Sequence, residues 1–119
     1  MFWSQTLRRL PTSFKYFLHR RNKSHLNGCG LCNDKIIKQF KFWKIINNKF
    51  PYDKIAKEHH MLIPIRHCKE EDLSKEELDE LKAIKKGYIN DYAYNYILES
   101  TNKVKSIPEH FHLHLLVLK

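Results

Sequence analysis

The sequence predicts a single α+β domain. A period of two near the chain end, where Phe111, Leu113 and Leu115 alternate with histidines, is typical of a β-strand. A capped amphipathic helix begins at Ser74, and the helices and strands follow no repeating βαβ order, which favours an antiparallel sheet with packed helices. A length of 119 residues fits one domain.

The elements can be read in order along the first half of the chain. Aromatic and aliphatic residues at helical spacing predict a helix over 12–21. Asn27, Gly28 and Gly30 then indicate a loop. The remaining predictions for this half are a buried strand over 42–47, a connection over 48–59 and a strand over 60–65 with Pro64 near its end.

The second half contains the clearest helix start. Ser74 can cap a helix, Glu77 can close a capping box, and Leu73 can pack against Leu78. Four apolar residues then trace one helix face: Leu78, Leu81, Ile84 and Tyr88. We expect a strand over 94–100, and the histidine-bearing strand ends the chain.

Three histidines, His110, His112 and His114, occupy alternate positions of that last strand. Their side chains should share one face, with neighbouring rings roughly 6.5 to 7 Å apart and the outer two roughly 13 Å apart. On a regular strand three such rings cannot all bind one metal ion. Either two of the rings share an ion or the three have separate roles. An ordinary half-exposed edge strand fits the pattern poorly.

The formal net charge is +9, which suits phosphate-bearing partners such as nucleotides, nucleic acid or an anionic membrane surface. No run of 18 apolar residues occurs, so no membrane span is predicted. The basic N-terminal stretch resembles an organellar, for example mitochondrial, transit peptide. It also fits a basic amphipathic helix of a cytoplasmic protein, which we favour.

The chain has three cysteines and no secretory signal, so reduced thiols are expected. Cys29 and Cys32 form a C-x-x-C pair, which is either a redox dithiol or half of a metal site. A redox pair normally lies in a βαβ setting, which is absent, and zinc needs about four N or S ligands. The candidate additional ligands are His59, His60, His67, one histidine of the last strand, or Cys68.

No glycine-rich phosphate loop and no serine nucleophile motif is present, so histidine must carry any phosphate chemistry. His59, His60 and His67 flank the strand predicted over 60–65. If this strand and the last strand share a sheet, their histidines can converge on one face.

Four stretches together resemble the histidine triad (HIT) superfamily of nucleotide hydrolases and transferases. "HFHLHLL" is similar to the triad motif H-φ-H-φ-H-φ-φ, and "HHMLIPIRH" to the family's second segment. The C-x-x-C pair resembles the zinc-binding branches, which include Hint-like hydrolases and diadenosine polyphosphate phosphorylases. "NKFPY" resembles the stretch before the second segment. The likeness implies a HIT domain over 28–119 and leaves 1–27 as a basic N-terminal helical extension.

The resemblance implies roles for individual residues. His112 would be the nucleophile that attacks the α-phosphorus and forms a covalent nucleotidyl-histidine intermediate. His114 would contact phosphate oxygens, and His59 would position the phosphate or the leaving group. Asn48 would lie near the ribose, and Ser106 would contact phosphate, although the usual Gly/Ser-rich loop is replaced by "STNKVKSIPE".

The same resemblance implies a structural zinc ion, with Cys29, Cys32, His67 and His110 as its ligands. It also implies an enzyme that forms a homodimer and acts on a nucleotide or nucleotidyl substrate. The alternative is a nucleic-acid-binding module that resembles aprataxin and removes adenylate from DNA or RNA ends. The motifs leave open the base, the leaving group and the choice between hydrolysis and transfer.

Overall fold

Two helices and one antiparallel sheet make up the part of the chain, residues 7–23, 30–101 and 109–119, that the computed structural model describes. The α+β prediction is confirmed. The helices are α1 (Leu10–Lys23) and α2 (Lys75–Ile84). The strands are β1 (Ile36–Gln39), β2 (Trp43–Asn47), β3 (Ala56–Pro64), β4 (Tyr96–Leu98) and β5 (Leu113–Leu118).

The sheet has the order β1-β2-β3-β5-β4. Strands β3 and β5 are therefore neighbours in its centre, and their antiparallel register places Met61 opposite His114. This pairing brings the second histidine-rich segment beside the last strand, which is the condition under which the sequence predicts that their histidines can converge.

The two faces of the sheet bury different residues. The helix face packs against α2 through a core that includes Trp43, Leu62, Leu81 and Leu115. The opposite face, which we call the histidine face, has a smaller core of Leu31, Ile46, Met61 and Ile63. Alternation along β3 and β5 directs His59 and His114 to the histidine face.

Helix α2 begins with the predicted capping box. The Ser74 hydroxyl accepts a hydrogen bond from the Glu77 backbone N–H at 3.1 Å, and the Glu77 carboxylate accepts one from the Ser74 N–H at 2.8 Å. Glu77 is buried and also accepts two hydrogen bonds from the Arg66 guanidinium. This contact lowers the pKa of Glu77. A π-helical turn (Lys85–Ile89) extends the helix.

Several element boundaries differ from prediction. Strand β1 was not predicted, because its four residues are all exposed and show no apolar alternation. Strand β3 begins at Ala56 rather than at residue 60, and β5 begins at Leu113, so that His110 and His112 precede it. Helix α1 begins earlier than expected, with Pro11 in its first turn, where proline is tolerated.

The start of α1 is attached to the connection between β2 and β3. The Asp53 carboxylate accepts hydrogen bonds from the Arg9 backbone N–H at 2.6 Å and from the Thr12 hydroxyl at 2.5 Å. The Lys54 N–H donates to the Leu7 carbonyl at 2.9 Å. None of the described helices is long and apolar enough to cross a membrane.

Candidate active site

The three predicted catalytic histidines meet on the histidine face. The ring centroids of His59 and His114 are 4.9 Å apart, and those of His112 and His114 are 5.2 Å apart. All three side chains are buried. The antiparallel pairing of β3 with β5 produces this cluster from residues more than fifty positions apart in the sequence.

Hydrogen bonds determine which ring nitrogens of His59 and His114 carry protons. The Tyr52 backbone N–H donates to Nδ1 of His59 at 2.9 Å, so the proton of the neutral His59 ring is on Nε2. That Nε2–H lies 2.8 Å from Nδ1 of His114 and donates to it. The proton of His114 is therefore on Nε2.

Both rings remain neutral near pH 7. The pKa of His59 is lowered to about 2 and the pKa of His114 to about 3, and burial is the largest cause of both shifts. Each ring also lies beside other positive or titratable groups, which disfavour the protonated form further. Neutral His114 can therefore donate a hydrogen bond through Nε2.

His112 has the opposite tautomer to His59 and His114, with the proton on Nδ1. Its Nδ1 lies 2.9 Å from the His110 carbonyl oxygen and donates to it, because a carbonyl can only accept. Nε2 of His112 then carries the lone pair. A buried imidazole in this tautomer has the form required of a nitrogen nucleophile.

Tyr52 is a member of the site for which the sequence suggested no role. Its ring centroid lies 4.5 Å from that of His59 and 4.9 Å from that of His114. The Tyr52 hydroxyl is 3.4 Å from Nε2 of His114. The only sequence signal was its place directly after Pro51 in "NKFPY".

Asn48 borders the cluster, and its predicted place near the ribose stays a prediction. Its Oδ1 accepts a hydrogen bond from the Phe50 N–H at 2.7 Å, which orients the amide. Its Nδ2 lies 3.3 Å from Nε2 of His59 and 3.7 Å from the Met61 sulfur. Ser106, the other predicted nucleotide contact, lies outside the described residues.

A second cluster on the same face consists of Cys32, His67 and His110, whose potential ligand atoms all lie within 4.8 Å of one another. The Cys32 Sγ is 3.5 Å from Nδ1 of His67 and 3.4 Å from Nδ1 of His110. A short 3-10 helical turn (Gly30–Asn33) carries Cys32 to this position. Cys29, the fourth predicted ligand, lies outside the described residues.

These distances fit a tetrahedral zinc site. Bond lengths typical of Zn–S and Zn–N place a ligand sulfur and a ligand nitrogen roughly 3.5 Å apart. The buried His110 ring donates its Nε2–H to the Pro64 carbonyl at 3.0 Å, which directs the Nδ1 lone pair toward Cys32. A backbone acceptor behind the ring is typical of histidine ligands to metals.

Two of the additional candidate ligands do not join either cluster. His60 points to the helix face, where its Nδ1 lies 2.5 Å from the Tyr94 hydroxyl, and burial lowers its pKa. Cys68 is buried apart from the Cys32 cluster, and burial raises the pKa of its thiol. The alternation of β3 separates His60 from its neighbour His59.

Solved structures share this fold. A histidine triad protein from Clostridium difficile has a TM-score of 0.57 at 18% identity, covering 76% of this chain and 90% of that chain. A HIT family hydrolase from Clostridium thermocellum has a TM-score of 0.56 at 18% identity, covering 77% and 91%. HTC1 has a TM-score of 0.57 at 13% identity, covering 98% and 78%. No family model and no curated protein matches the sequence.

The chain therefore has the HIT-like fold, the fold of histidine triad proteins. Within this fold its histidine face contains two groups of side chains. One is the buried cluster of His59, His112 and His114. The other is the thiol–imidazole cluster around Cys32.

Proposed function

We propose that the protein is a HIT-family enzyme, a nucleotide hydrolase or nucleotidyl transferase that acts at the α-phosphate of its substrate. The observation that carries this proposal is the hydrogen bond from His112 Nδ1 to the His110 carbonyl. It orients the His112 ring so that Nε2 is the nitrogen with the lone pair, beside the neutral His114 ring, which can donate to a phosphate oxygen.

The chemistry takes place in two displacement steps. The Nε2 lone pair of His112 attacks the α-phosphorus, a P–N bond forms, and the bond to the leaving group breaks. The leaving group departs with that electron pair and takes a proton from solvent. Water, or another acceptor in a transferase, then attacks phosphorus, loses a proton, and returns the P–N electron pair to Nε2.

Contacts around the site stabilise the charges that develop during this reaction, on the His112 ring and on the phosphate oxygens. The His112 ring becomes cationic when Nε2 is bonded to phosphorus, and its hydrogen bond to the His110 carbonyl then becomes charge-assisted. His114 donates its Nε2–H to a phosphate oxygen. It acts as a hydrogen-bond donor and not as an acid, because its Nδ1 already accepts from His59.

We also propose that Cys32, His67 and His110, with Cys29, bind a structural zinc ion. The support is the distances of 3.4 and 3.5 Å from the Cys32 sulfur to the two imidazoles. When bound, zinc would attach the loop that carries Cys32 to the segments before β5 and after β3. Such a connection replaces core area that a small domain lacks.

A homodimer is the third part of the proposal. Strand β4 is an edge strand of the sheet and exposes Tyr96 at 61% and Ile97 at 39%. Unpaired strand edges with apolar side chains favour pairing with another chain. Sedimentation should give a dimer at micromolar concentration, and a monomer under these conditions would contradict this part.

Turnover of a nucleoside phosphoramidate tests the enzymatic function against the nucleic-acid-binding alternative. We expect release of a nucleoside monophosphate by the wild type and no release by His112→Ala at unchanged fold and metal content. In parallel, binding to DNA and RNA is titrated against salt. Salt-sensitive nucleic-acid binding without turnover of the small substrate would favour the aprataxin-like module instead.

A further inference from the structure

Arg8 lies beside the histidine cluster, although it belongs to the N-terminal segment and not to the stretch that carries the family resemblance. Its Nε–H donates to the Phe50 carbonyl at 2.6 Å. The guanidinium carbon lies 4.1 Å from the ring centroid of Tyr16 and 4.9 Å from that of Tyr52. The guanidinium is thus held between two aromatic rings.

The Tyr52 ring contacts both this cation and the two histidines His59 and His114. The Tyr52 ring centroid lies 4.9 Å from the guanidinium carbon of Arg8, 4.5 Å from the His59 ring and 4.9 Å from the His114 ring. The charge of Arg8 also contributes to the low pKa of both rings, after the larger effects of burial and of a neighbouring histidine. Its electrostatic field therefore reaches the site.

The protein holds this cation in place at some energetic cost. Burial lowers the pKa of Arg8, yet a guanidinium remains charged at every physiological pH. The segment around it is attached by the Asp53 carboxylate to Arg9 N–H and by the Leu7 carbonyl to Lys54 N–H. A charge fixed beside a phosphate site suits recognition of an anion better than it suits packing alone.

We propose that Arg8 is a specificity residue of the histidine site and binds a second phosphate group next to the phosphate that His112 attacks. The guanidinium can donate paired hydrogen bonds to phosphate oxygens, which a lysine cannot reproduce. The favoured substrates are then nucleotides whose leaving group itself carries a phosphate. This inference rests on the proposed function, because it takes the histidine cluster as the site of phosphate attack.

Arg9 provides a matched control. It is the next residue, its side chain is exposed, and its anchoring contact to Asp53 uses the backbone N–H, which survives substitution. Arg8→Gln and Arg9→Gln therefore remove the same charge from adjacent positions. Arg8→Lys keeps the charge and removes the planar pair of donors.

The kinetic test compares two substrates with the same nucleoside, ADP with a phosphate leaving group and adenosine 5′-phosphoramidate with a neutral one. Arg8→Gln should lower kcat/KM for ADP by about 10- to 100-fold, as expected for loss of a charge-assisted contact. It should change kcat/KM for the phosphoramidate far less, and Arg9→Gln should affect neither. Equal losses on both substrates, or equal effects of both substitutions, would overturn the proposal.

Calorimetric binding separates failure of this inference from failure of the proposed function. If the wild type turns over neither substrate, the proposed function fails, and the affinity ratio of ADP over AMP still tests Arg8. We expect Arg8→Gln to abolish a wild-type preference for ADP and Arg9→Gln to retain it. No wild-type preference, or a preference that survives Arg8→Gln, would contradict the role of Arg8.

Folding of the variants is checked by thermal melting. If Arg8→Gln does not fold, the affinity ratio of ADP over AMP is measured for Arg8→Lys instead. A folded Arg8→Lys with a reduced preference for ADP supports the proposal, and one with the full preference overturns it.

Discussion

His59 and His114 are joined by a 2.8 Å hydrogen bond between Nε2 and Nδ1, in the middle of a sheet face where both rings are buried. The direction of this bond follows from the Tyr52 N–H that donates to the other nitrogen of His59. His59 is therefore the donor and His114 the acceptor, which leaves the Nε2–H of His114 to donate to a further group.

This pair predicts an acid-sensitive fold. The folded-state pKa values of about 2 and about 3 lie below the ordinary histidine value of 6.5, so the unfolded chain binds more protons at low pH. Stability is fully present above pH 6.5 and is lost progressively as the pH falls toward 3. Each ring can contribute a slope of up to about 1.4 kcal/mol per pH unit in this window.

Urea unfolding at a series of pH values between 7 and 4 measures this slope. His114→Asn should unfold at lower urea concentration at pH 7 and show a shallower dependence on pH. An equal slope in the wild type and in His114→Asn would show that the pair is not the source of acid sensitivity.

Asp53 is expected to hold the N-terminal segment against the site. Asp53→Ala removes the acceptor for Arg9 N–H and for the Thr12 hydroxyl, and should lower the free energy of unfolding by about 0.5 to 2 kcal/mol, as for loss of a helix cap. It should also make the start of α1 more sensitive to limited proteolysis. Asp79→Ala, which removes an exposed pair with Lys75, is the control and should have little effect.

Zinc binding should depend on Cys32 and not on Cys68. Cys32→Ser is expected to lower the zinc content from about one equivalent to a small fraction and to lower the melting temperature at the same time. Cys68→Ala removes the other described thiol and should retain the metal. Wild-type protein that is folded and active with less than about a tenth of an equivalent of zinc would contradict this site.

Glu77 should stabilise the segment that leads to His67. Glu77→Gln replaces the carboxylate that accepts both hydrogen bonds from Arg66 by an amide with one acceptor oxygen and no charge, so it should lower the free energy of unfolding. Since the pKa of Glu77 is lowered, this contribution is present at neutral pH and is lost as the pH falls through the folded-state value. Chemical denaturation measures the free energy of unfolding of each variant. Glu76→Gln, on the exposed side of α2, is the control and should change this free energy little.

Much of the site could be predicted because its residues follow simple periodicities. Alternation along the last strand indicated that His59 and His114 can converge if the two strands share a sheet, and the pairing of β3 with β5 supplies that condition. The capping box likewise identified the start of α2 from two residues three positions apart. These are local signals that the tertiary structure reinforces.

The features that the sequence did not predict depend on tertiary contacts, which leave no local pattern in the sequence. Strand β1 has four exposed residues and an irregular register with β2, so it carries no apolar alternation. Adjacent histidines, His59 and His60, diverge to opposite faces, and only the register decides which one faces the site. Arg8 comes to lie beside the cluster through its hydrogen bond to a loop more than forty positions away in the sequence.

The central claim is that His112 is the nucleophile, and the most direct test is to trap its adduct. A slowly reacting nucleoside phosphoramidate is mixed with the protein at low temperature, and the reaction is quenched under conditions that preserve P–N bonds. The protein is then digested for mass spectrometry. We expect a nucleoside monophosphate attached to His112, and none in His112→Ala. An adduct on any other residue, or full turnover by His112→Ala, would contradict the mechanism.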